Sequence, residues 1–113
     1  MYDKLKKNYE FSNVFKYGKR VVGREISLHY RRNNFNQNRL GVTTVKHYGN
    51  AVERNRKRRL IREAYRSLAP QVKSSYDIII MGRISHTEST LFTVRDELEH
   101  LLRKANLLTD NPQ

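Results

Sequence analysis

One stretch, from Gly49 to Arg66, constrains the fold of this chain more than any other. Its apolar residues recur at helical spacing and fall in one arc of about 100°, the width of a core-facing stripe. This arc holds Leu60, Ile61, Ala64 and the following Leu68. We therefore predict an amphipathic helix that ends near Ala69, because Pro70 disfavours a helical conformation in the residue before it.

The rest of this helix is strongly basic. Between residues 51 and 66, seven Lys or Arg face only two Glu. Five side chains on the side away from the core share a second arc of about 100°: Asn55, Arg58, Arg59, Arg62 and Arg66. A solvated surface is the simpler interpretation, but like charges four residues apart destabilise a helix. Arginine also favours forked contacts to phosphate, so we predict a polyanionic ligand.

The overall charge indicates which polyanion. With 23 Lys and Arg against 11 Asp and Glu, the formal net charge is +12 in 113 residues, which makes nucleic acid the default partner. A membrane is disfavoured, because the basic helix lacks a broad aromatic face and no apolar run approaches a spanning length or a signal peptide. The absence of Cys fits a reducing compartment, so we expect a cytoplasmic protein.

The N-terminal half predicts a helix and two strands. A helix should run from Asn8, its cap, to Tyr17, with Gly18 as the C-terminal stop. Residues 24–30 alternate as a half-buried strand, residues 31–38 form a polar hairpin loop, and residues 39–46 return as a second strand. A further short pairing around residues 20–22 is weakly signalled.

The C-terminal half completes one α+β domain over residues 1–113. Asp77–Gly82 is a continuous apolar run, typical of a central strand that follows the basic helix in a βαβ unit. A capping box at Ser85–Glu88 should start the last helix, and residues 109–113 should fray. The order helix, two or three strands, basic helix, strand, helix predicts a two-layer sandwich.

The sequence contains no catalytic constellation. Its four His have no zinc-site spacing, and Asp96, Glu97 and Glu99 fall on the side of the last helix that should face solvent. No phosphate-binding loop or nucleophile elbow is present. We therefore predict no catalytic residues and no metal ligands in this chain.

Aromatic residues near basic ones provide a second nucleic-acid signal. Phe11, Phe15 and Tyr17, and later His29 and Tyr30, lie among Lys and Arg residues. Unpaired bases stack on such rings. The alternative is that Phe11 and Phe15 only fill the core, and composition alone does not separate the two.

At the level of motifs, the chain resembles the bacterial ribonuclease P protein family. The resemblance lies in Arg39-Leu40-Gly41-Val42 and in the segment from Lys46 to Glu63, which contains Arg54-Asn55-Arg56. It extends to Phe11-x-x-Val14-Phe15-x-x-Gly18 and to the strand at Asp77. It therefore covers most of the chain.

The resemblance implies a protein that joins a catalytic RNA and removes the 5′ leader of precursor tRNA. It implies that the RNA carries out the hydrolysis with bound Mg²⁺, and that the fold has a four-stranded mixed sheet with a left-handed βαβ crossover, against the usual hand. It also implies two separate surfaces, one for the catalytic RNA and a cleft for the leader. Whether the free protein dimerises stays open.

Family positions map onto this sequence by motif. The resemblance implies a catalytic-RNA surface that comprises Arg54, Asn55, Arg56, Arg58, Arg59 and Arg62, with Lys46 and Asn50 on its approach. It implies a leader cleft that comprises Phe11, Phe15, Tyr17, Ser27 and His29. The chain departs from the family pattern at Val45, His47 and Lys57, and we expect the Lys57 stem to lie along the core edge with its amine in solvent.

Two rival functions remain on composition: a structural RNA-binding protein of ribosomal type without a catalytic partner, and an independent nuclease. The missing metal-ligand set disfavours the nuclease. Protein-dependent cleavage in the presence of a ribonuclease P RNA would separate all three.

Overall fold

The computed structural model describes residues 2–109, which contain five strands and three α-helices. In chain order they are β1 (Asp3–Lys4), α1 (Asn8–Tyr17), β2 (Lys19–Val22), β3 (Ile26–Arg32), β4 (Arg39–Thr44), α2 (Ala51–Leu68), β5 (Tyr76–Gly82) and α3 (Leu91–Lys104). A 3₁₀ turn at Ala69–Gln71 follows α2. The predicted α+β class and element order are confirmed, and β1 adds a fifth strand to the four expected.

The sheet has the strand order β1-β4-β5-β3-β2. β4 and β5 are parallel neighbours joined through α2, which confirms the βαβ unit; its left hand stays a prediction from the resemblance. β3 pairs antiparallel with β5 and not with β4, so the predicted hairpin at residues 31–38 is wrong. The apolar run of β5 is buried on both faces, and a strand of that kind takes the centre of the sheet and separates β3 from β4.

The helices cover both faces of the sheet. Alternate residues of β5 show this, because Ile78 and Ile80 belong to the large core that includes α2 and α3, whereas Ile79 packs with Leu5 and with Val14 of α1. α1 therefore adds a third layer to the predicted two. It also explains why β3 is buried on both faces and not half-buried as predicted.

Two predicted N-caps are wrong, although the bounds of α1 are right. Lys7, not Asn8, is the N-cap of α1, and α3 begins after Thr90, whose hydroxyl accepts the Thr93 N–H at 3.1 Å. The capping-box spacing at residues 85–88 therefore starts no helix.

Gly18 ends α1 for a different reason from the one predicted. Its backbone is extended (φ −88°) and not left-handed. An added Cβ would lie 2.5 Å from the carbonyl oxygens of both Tyr30 and Val14. Glycine is required here by the close approach of α1 to β3.

At the C-terminus, Thr109 is the one residue of the predicted frayed tail that is described. Its N–H donates to the Gln71 carbonyl at 2.7 Å. Residues 110–113 lie outside the described residues.

Candidate nucleic-acid interface

The basic helix α2 starts from a reciprocal cap. The Asn50 side chain accepts the Glu53 N–H at 2.9 Å, and the Glu53 carboxylate accepts the Asn50 N–H at 2.9 Å. Gly49 enters this turn with φ +41°, a region that favours glycine. Asn50, predicted to approach RNA, thus has its side chain engaged in starting the helix. Lys46, on the loop before it, is exposed.

The first arginines of α2 are positioned by the protein itself. Arg54 donates to the Gly49 carbonyl at 3.0 Å, and Arg56 donates to the Ser89 carbonyl at 3.0 Å. Arg58 donates to the Asn55 amide oxygen at 2.9 Å. These contacts orient guanidinium groups that remain at the surface.

The later arginines are different. Arg59, Arg62 and Arg66 are all exposed. Within residues 2–109, none of the three guanidinium groups hydrogen-bonds or pairs with a carboxylate. They present positive charge outward with no internal compensation, as a polyanion-binding surface requires.

Lys57 is buried beneath this surface, with 1% of its area exposed. Its ammonium donates to the Ser89 hydroxyl at 2.6 Å and reaches the Glu25 carboxylate at 3.4 Å. Burial lowers the pKa of Lys57, and the Glu25 carboxylate opposes that effect. The prediction that the amine reaches solvent is wrong. Lys57 instead ties α2 to the segment before α3 and to the start of β3.

On the opposite face of the sheet, α1 and β3 bring three of the predicted leader-cleft residues together. The Phe15 ring stands edge-on to His29, with centroids 4.9 Å apart, and His29 Nε2 lies 2.8 Å from the Ser27 hydroxyl. Ser27 and His29 are buried, whereas Phe15 is 42% exposed. Burial lowers the pKa of His29, and Arg20 lowers it further, so the imidazole is held neutral near pH 7.

Tyr17 extends this aromatic surface toward the end of β3. The residue is 61% exposed, and the cations of Lys16 and Arg31 lie 5.3 and 5.2 Å from its ring centroid. Because Arg31 follows His29 by two residues on β3, the two side chains share a face of the sheet. An unpaired base stacked on Tyr17 would have phosphate-binding cations beside it.

Phe11 lies elsewhere. It packs over Gly41 of β4, where an added Cβ would be 2.6 Å from the ring, whereas Phe15 packs over β3. β5 separates the two strands, which places the two sites about 10 Å apart. Phe11 also lines a groove that includes Arg62 and Arg66 of α2. One residue predicted for the leader cleft and two arginines of α2 thus line the same groove.

Comparison with known proteins identifies the family. The family model for ribonuclease P matches residues 2–106. The chain belongs to the ribonuclease P protein family. It is 36% identical over 108 residues to the ribonuclease P protein component of Thermoanaerobacter sp. strain X514, covering 96% of this chain and 93% of that protein. The component from Natranaerobius thermophilus is 39% identical over 107 residues, covering 95% of this chain and 93% of that one.

Solved structures of the ribonuclease P family have the same fold. The Staphylococcus aureus RNase P protein aligns with a TM-score of 0.84 at 30% identity, over 96% of this chain and 100% of that one. The Thermotoga maritima RNase P protein aligns with a TM-score of 0.80 at 26% identity, over 90% and 96%.

Sequence reasoning missed two residues of the groove that Phe11 lines. Tyr2 and Lys4 line the groove with Arg62 and Arg66. Their only signal is a single aromatic and a single basic residue near the start of the chain. β1, which follows Tyr2 and contains Lys4, is two residues long and has no periodicity to detect. Leu5 anchors this N-terminal segment to β4, because its N–H donates to the Leu40 carbonyl at 3.0 Å.

Neither a metal site nor a membrane span is found in the described part of the chain. Within residues 2–109, no three His, Asp or Glu side chains are grouped so that they could hold an ion. No helix there is both long enough and apolar enough to cross a bilayer.

Proposed function

We propose that this chain is the protein subunit of a bacterial ribonuclease P, and that it binds a catalytic RNA and the 5′ leader of precursor tRNA to promote leader removal. The observation that carries the proposal is the outward row of uncompensated guanidinium groups on α2, in a chain that matches the family over nearly its whole length. A cytoplasmic location is part of the proposal, and the cysteine-free sequence fits it.

The catalytic RNA meets the N-terminal half of α2 in this proposal. Arg54, Arg56 and Arg58 are held by protein contacts, so less side-chain entropy is lost when they bind phosphate. Arg59 adds a guanidinium that has no partner among residues 2–109. Each phosphate contact releases counterions, so affinity should fall steeply with salt.

The leader meets α1 and β3. Phe15 is 42% exposed, and the adjoining neutral His29 and Ser27 supply polar atoms beside its ring. Single-stranded RNA is recognised through such stacking combined with hydrogen bonds to base edges.

The proposal assigns phosphodiester hydrolysis, and the Mg²⁺ that supports it, to the RNA subunit, as the family resemblance implies. The described protein residues do not form a set of metal ligands, so no step is assigned to a protein-bound ion. The protein contributes binding and orientation of the two RNAs.

Reconstitution tests the proposal. The purified protein is mixed with a ribonuclease P RNA and precursor tRNA at low Mg²⁺, and the 5′ ends of the products are mapped. We expect cleavage at the mature 5′ end only when protein and RNA are both present. Cleavage by the protein alone would indicate an independent nuclease. RNA binding without any stimulation of cleavage would favour the structural RNA-binding alternative.

Salt dependence tests the role of α2. Arg58→Ala should flatten the dependence of catalytic-RNA affinity on salt by about one counterion. Asp96→Ala is the matched control, because Asp96 is an exposed charge on α3. Glu97, expected from sequence to face solvent, is unsuitable because its carboxylate accepts the N–H groups of Glu25 and Ile26 at 2.8 and 3.0 Å. Unchanged slopes for Arg58→Ala would remove this part of α2 from the interface.

A further inference from the structure

A buried ammonium lies beneath the start of the basic surface. Lys57 follows Arg56 on α2, but its stem turns inward over the end of β5, where a Cβ added to Gly82 would be 2.8 Å from Lys57 Cγ. Three segments from distant parts of the chain approach its Nζ atom. They are the turn before β3, the loop before α2 and the segment before α3.

Ser89, in the segment before α3, is held by two neighbouring residues of α2. Its hydroxyl accepts a hydrogen bond from the Lys57 ammonium at 2.6 Å, and its carbonyl accepts one from the Arg56 guanidinium at 3.0 Å. Ser89 is only 5% exposed, so its hydroxyl depends on a protein partner for this contact. A carbonyl fixed in this way gives Arg56 one defined direction.

A second orienting carbonyl belongs to the loop before α2. The Arg54 guanidinium donates to the Gly49 carbonyl at 3.0 Å and lies 3.5 Å from the Tyr48 carbonyl oxygen. The Tyr48 ring centroid is 5.8 Å from the Lys57 ammonium, within the range of a cation–π interaction. The ammonium therefore contacts both of the segments whose carbonyls direct Arg54 and Arg56.

We propose that Lys57 is a positioning residue for catalytic-RNA binding. Through Ser89 it orients Arg56, and through the loop that holds Tyr48 it orients Arg54. Guanidinium groups held in place lose less freedom when they bind phosphate, so Lys57 strengthens binding without touching the RNA. This role rests on the proposed function and is not implied by the resemblance, because the chain departs from the family pattern at Lys57.

The double variant Lys57→Met with Glu25→Gln separates this role from a purely structural one. It removes both charges of the buried pair, so the net charge stays +12 and no buried charge is left unpaired. The Kd for a ribonuclease P RNA is measured over a range of salt concentrations, and folding is followed by circular dichroism. Gly18→Ala is the control for loss of stability, because it disturbs the packing of α1 and β3 and not these segments.

We expect the double variant to bind the RNA about tenfold more weakly at every salt concentration, because two guanidinium groups regain their freedom. The slope of affinity against salt should equal that of wild type, since the same phosphates are still contacted. Gly18→Ala should stay within about twofold of the wild-type affinity at a temperature where all the proteins are folded.

Ser89→Ala tests the link at one arginine without any change of charge. It should weaken binding of the RNA by about threefold, the freedom of one side chain. The loss should vanish in an Arg56→Gln background, which has no guanidinium left to orient. It should persist in an Arg58→Gln background, because Arg58 is oriented by Asn55 instead.

Wild-type affinity for the double variant, or an equal loss from Ser89→Ala with and without Arg56, would overturn the proposal and leave Lys57 a structural residue only. A flatter salt slope would also overturn it, because that result means a lost phosphate contact. The Ser89 cycle decides alone if the double variant does not fold. Failure of the proposed function is distinct, since wild type itself would then bind a ribonuclease P RNA no more tightly than an unrelated RNA of the same length.

Discussion

Glu25→Gln tests the buried ion pair that anchors α2. The carboxylate lies 3.4 Å from the Lys57 ammonium, which is 1% exposed, donates to the Ser89 hydroxyl and lies 5.8 Å from the centre of the Tyr48 ring. Glutamine keeps the size of the side chain and an accepting oxygen, so the substitution mainly removes the charge. The ammonium then loses its nearest carboxylate and keeps only the weaker influence of the Glu97 carboxylate among residues 2–109.

The structure bounds the cost of this change. Breaking a buried pair by removing one partner typically costs about 3–5 kcal/mol. Lys57 can instead lose its proton. At pH 7, deprotonating an amine with the ordinary pKa of 10.5 costs about 5 kcal/mol, at 1.36 kcal/mol per unit, so the loss of stability at pH 7 cannot exceed this value. Because the Glu25 side chain keeps some solvent access, we expect about 3 kcal/mol, or a Tm lower by roughly 12 °C.

The pH dependence of this cost follows from the sign of the pKa shift. A Lys whose folded-state pKa is depressed binds fewer protons in the folded chain than in the unfolded chain, so stability rises with pH until 10.5. The deficit of Glu25→Gln should therefore shrink between pH 7 and pH 9.5. Urea unfolding followed by circular dichroism at both pH values measures it.

Lys57→Met supplies the control, since it keeps the apolar stem and removes the ammonium. In that background Glu25→Gln should cost less than about 1 kcal/mol, because no buried charge is left unpaired. An equal cost in both backgrounds, or a deficit independent of pH, would refute the ion-pair explanation.

Three further predictions concern α1 and β3. Gly18→Ala should destabilise the protein by about 1–3 kcal/mol in urea unfolding, because its Cβ would meet the Tyr30 carbonyl oxygen at 2.5 Å; a neutral result would mean that α1 moves away without cost. His29 has a depressed pKa, so its contribution to stability is present above 6.5 and is lost as pH falls toward the folded-state value. The Tm of wild type minus the Tm of His29→Phe should therefore become smaller from pH 7.5 to pH 5, and a constant difference would contradict this. Phe15→Leu should weaken holoenzyme binding of leader-bearing tRNA by about 1–3 kcal/mol and leave mature tRNA unaffected; equal loss for both would make Phe15 a core residue only.

The sequence alone was sufficient for the properties that depend on local spacing and composition. The apolar arc of α2 predicted that Ile61, Ala64 and Leu68 are buried, as they are. The unbroken apolar run at Asp77–Gly82 predicted a central strand, because a strand that is apolar on both faces must be covered on both faces. Motif resemblance then supplied the family, because the Arg54-Asn55-Arg56 element keeps its spacing along one helix.

Only the tertiary structure decided which distant segments meet. Periodicity predicts that a residue faces inward but not which residues it contacts there. Lys57, predicted to reach solvent, is enclosed by Glu25 and Ser89, each 32 residues away in sequence. Phe11 and Phe15 form one pair on a helical wheel, yet α1 crosses the sheet so that β5 separates their strands. The insertion of β5 between β3 and β4 is a long-range pairing. It leaves β4 near the edge of the sheet, where Arg62 and Phe11 line one groove. Such contacts depend on the whole packed chain, because no local pattern encodes which of several apolar faces a segment will cover.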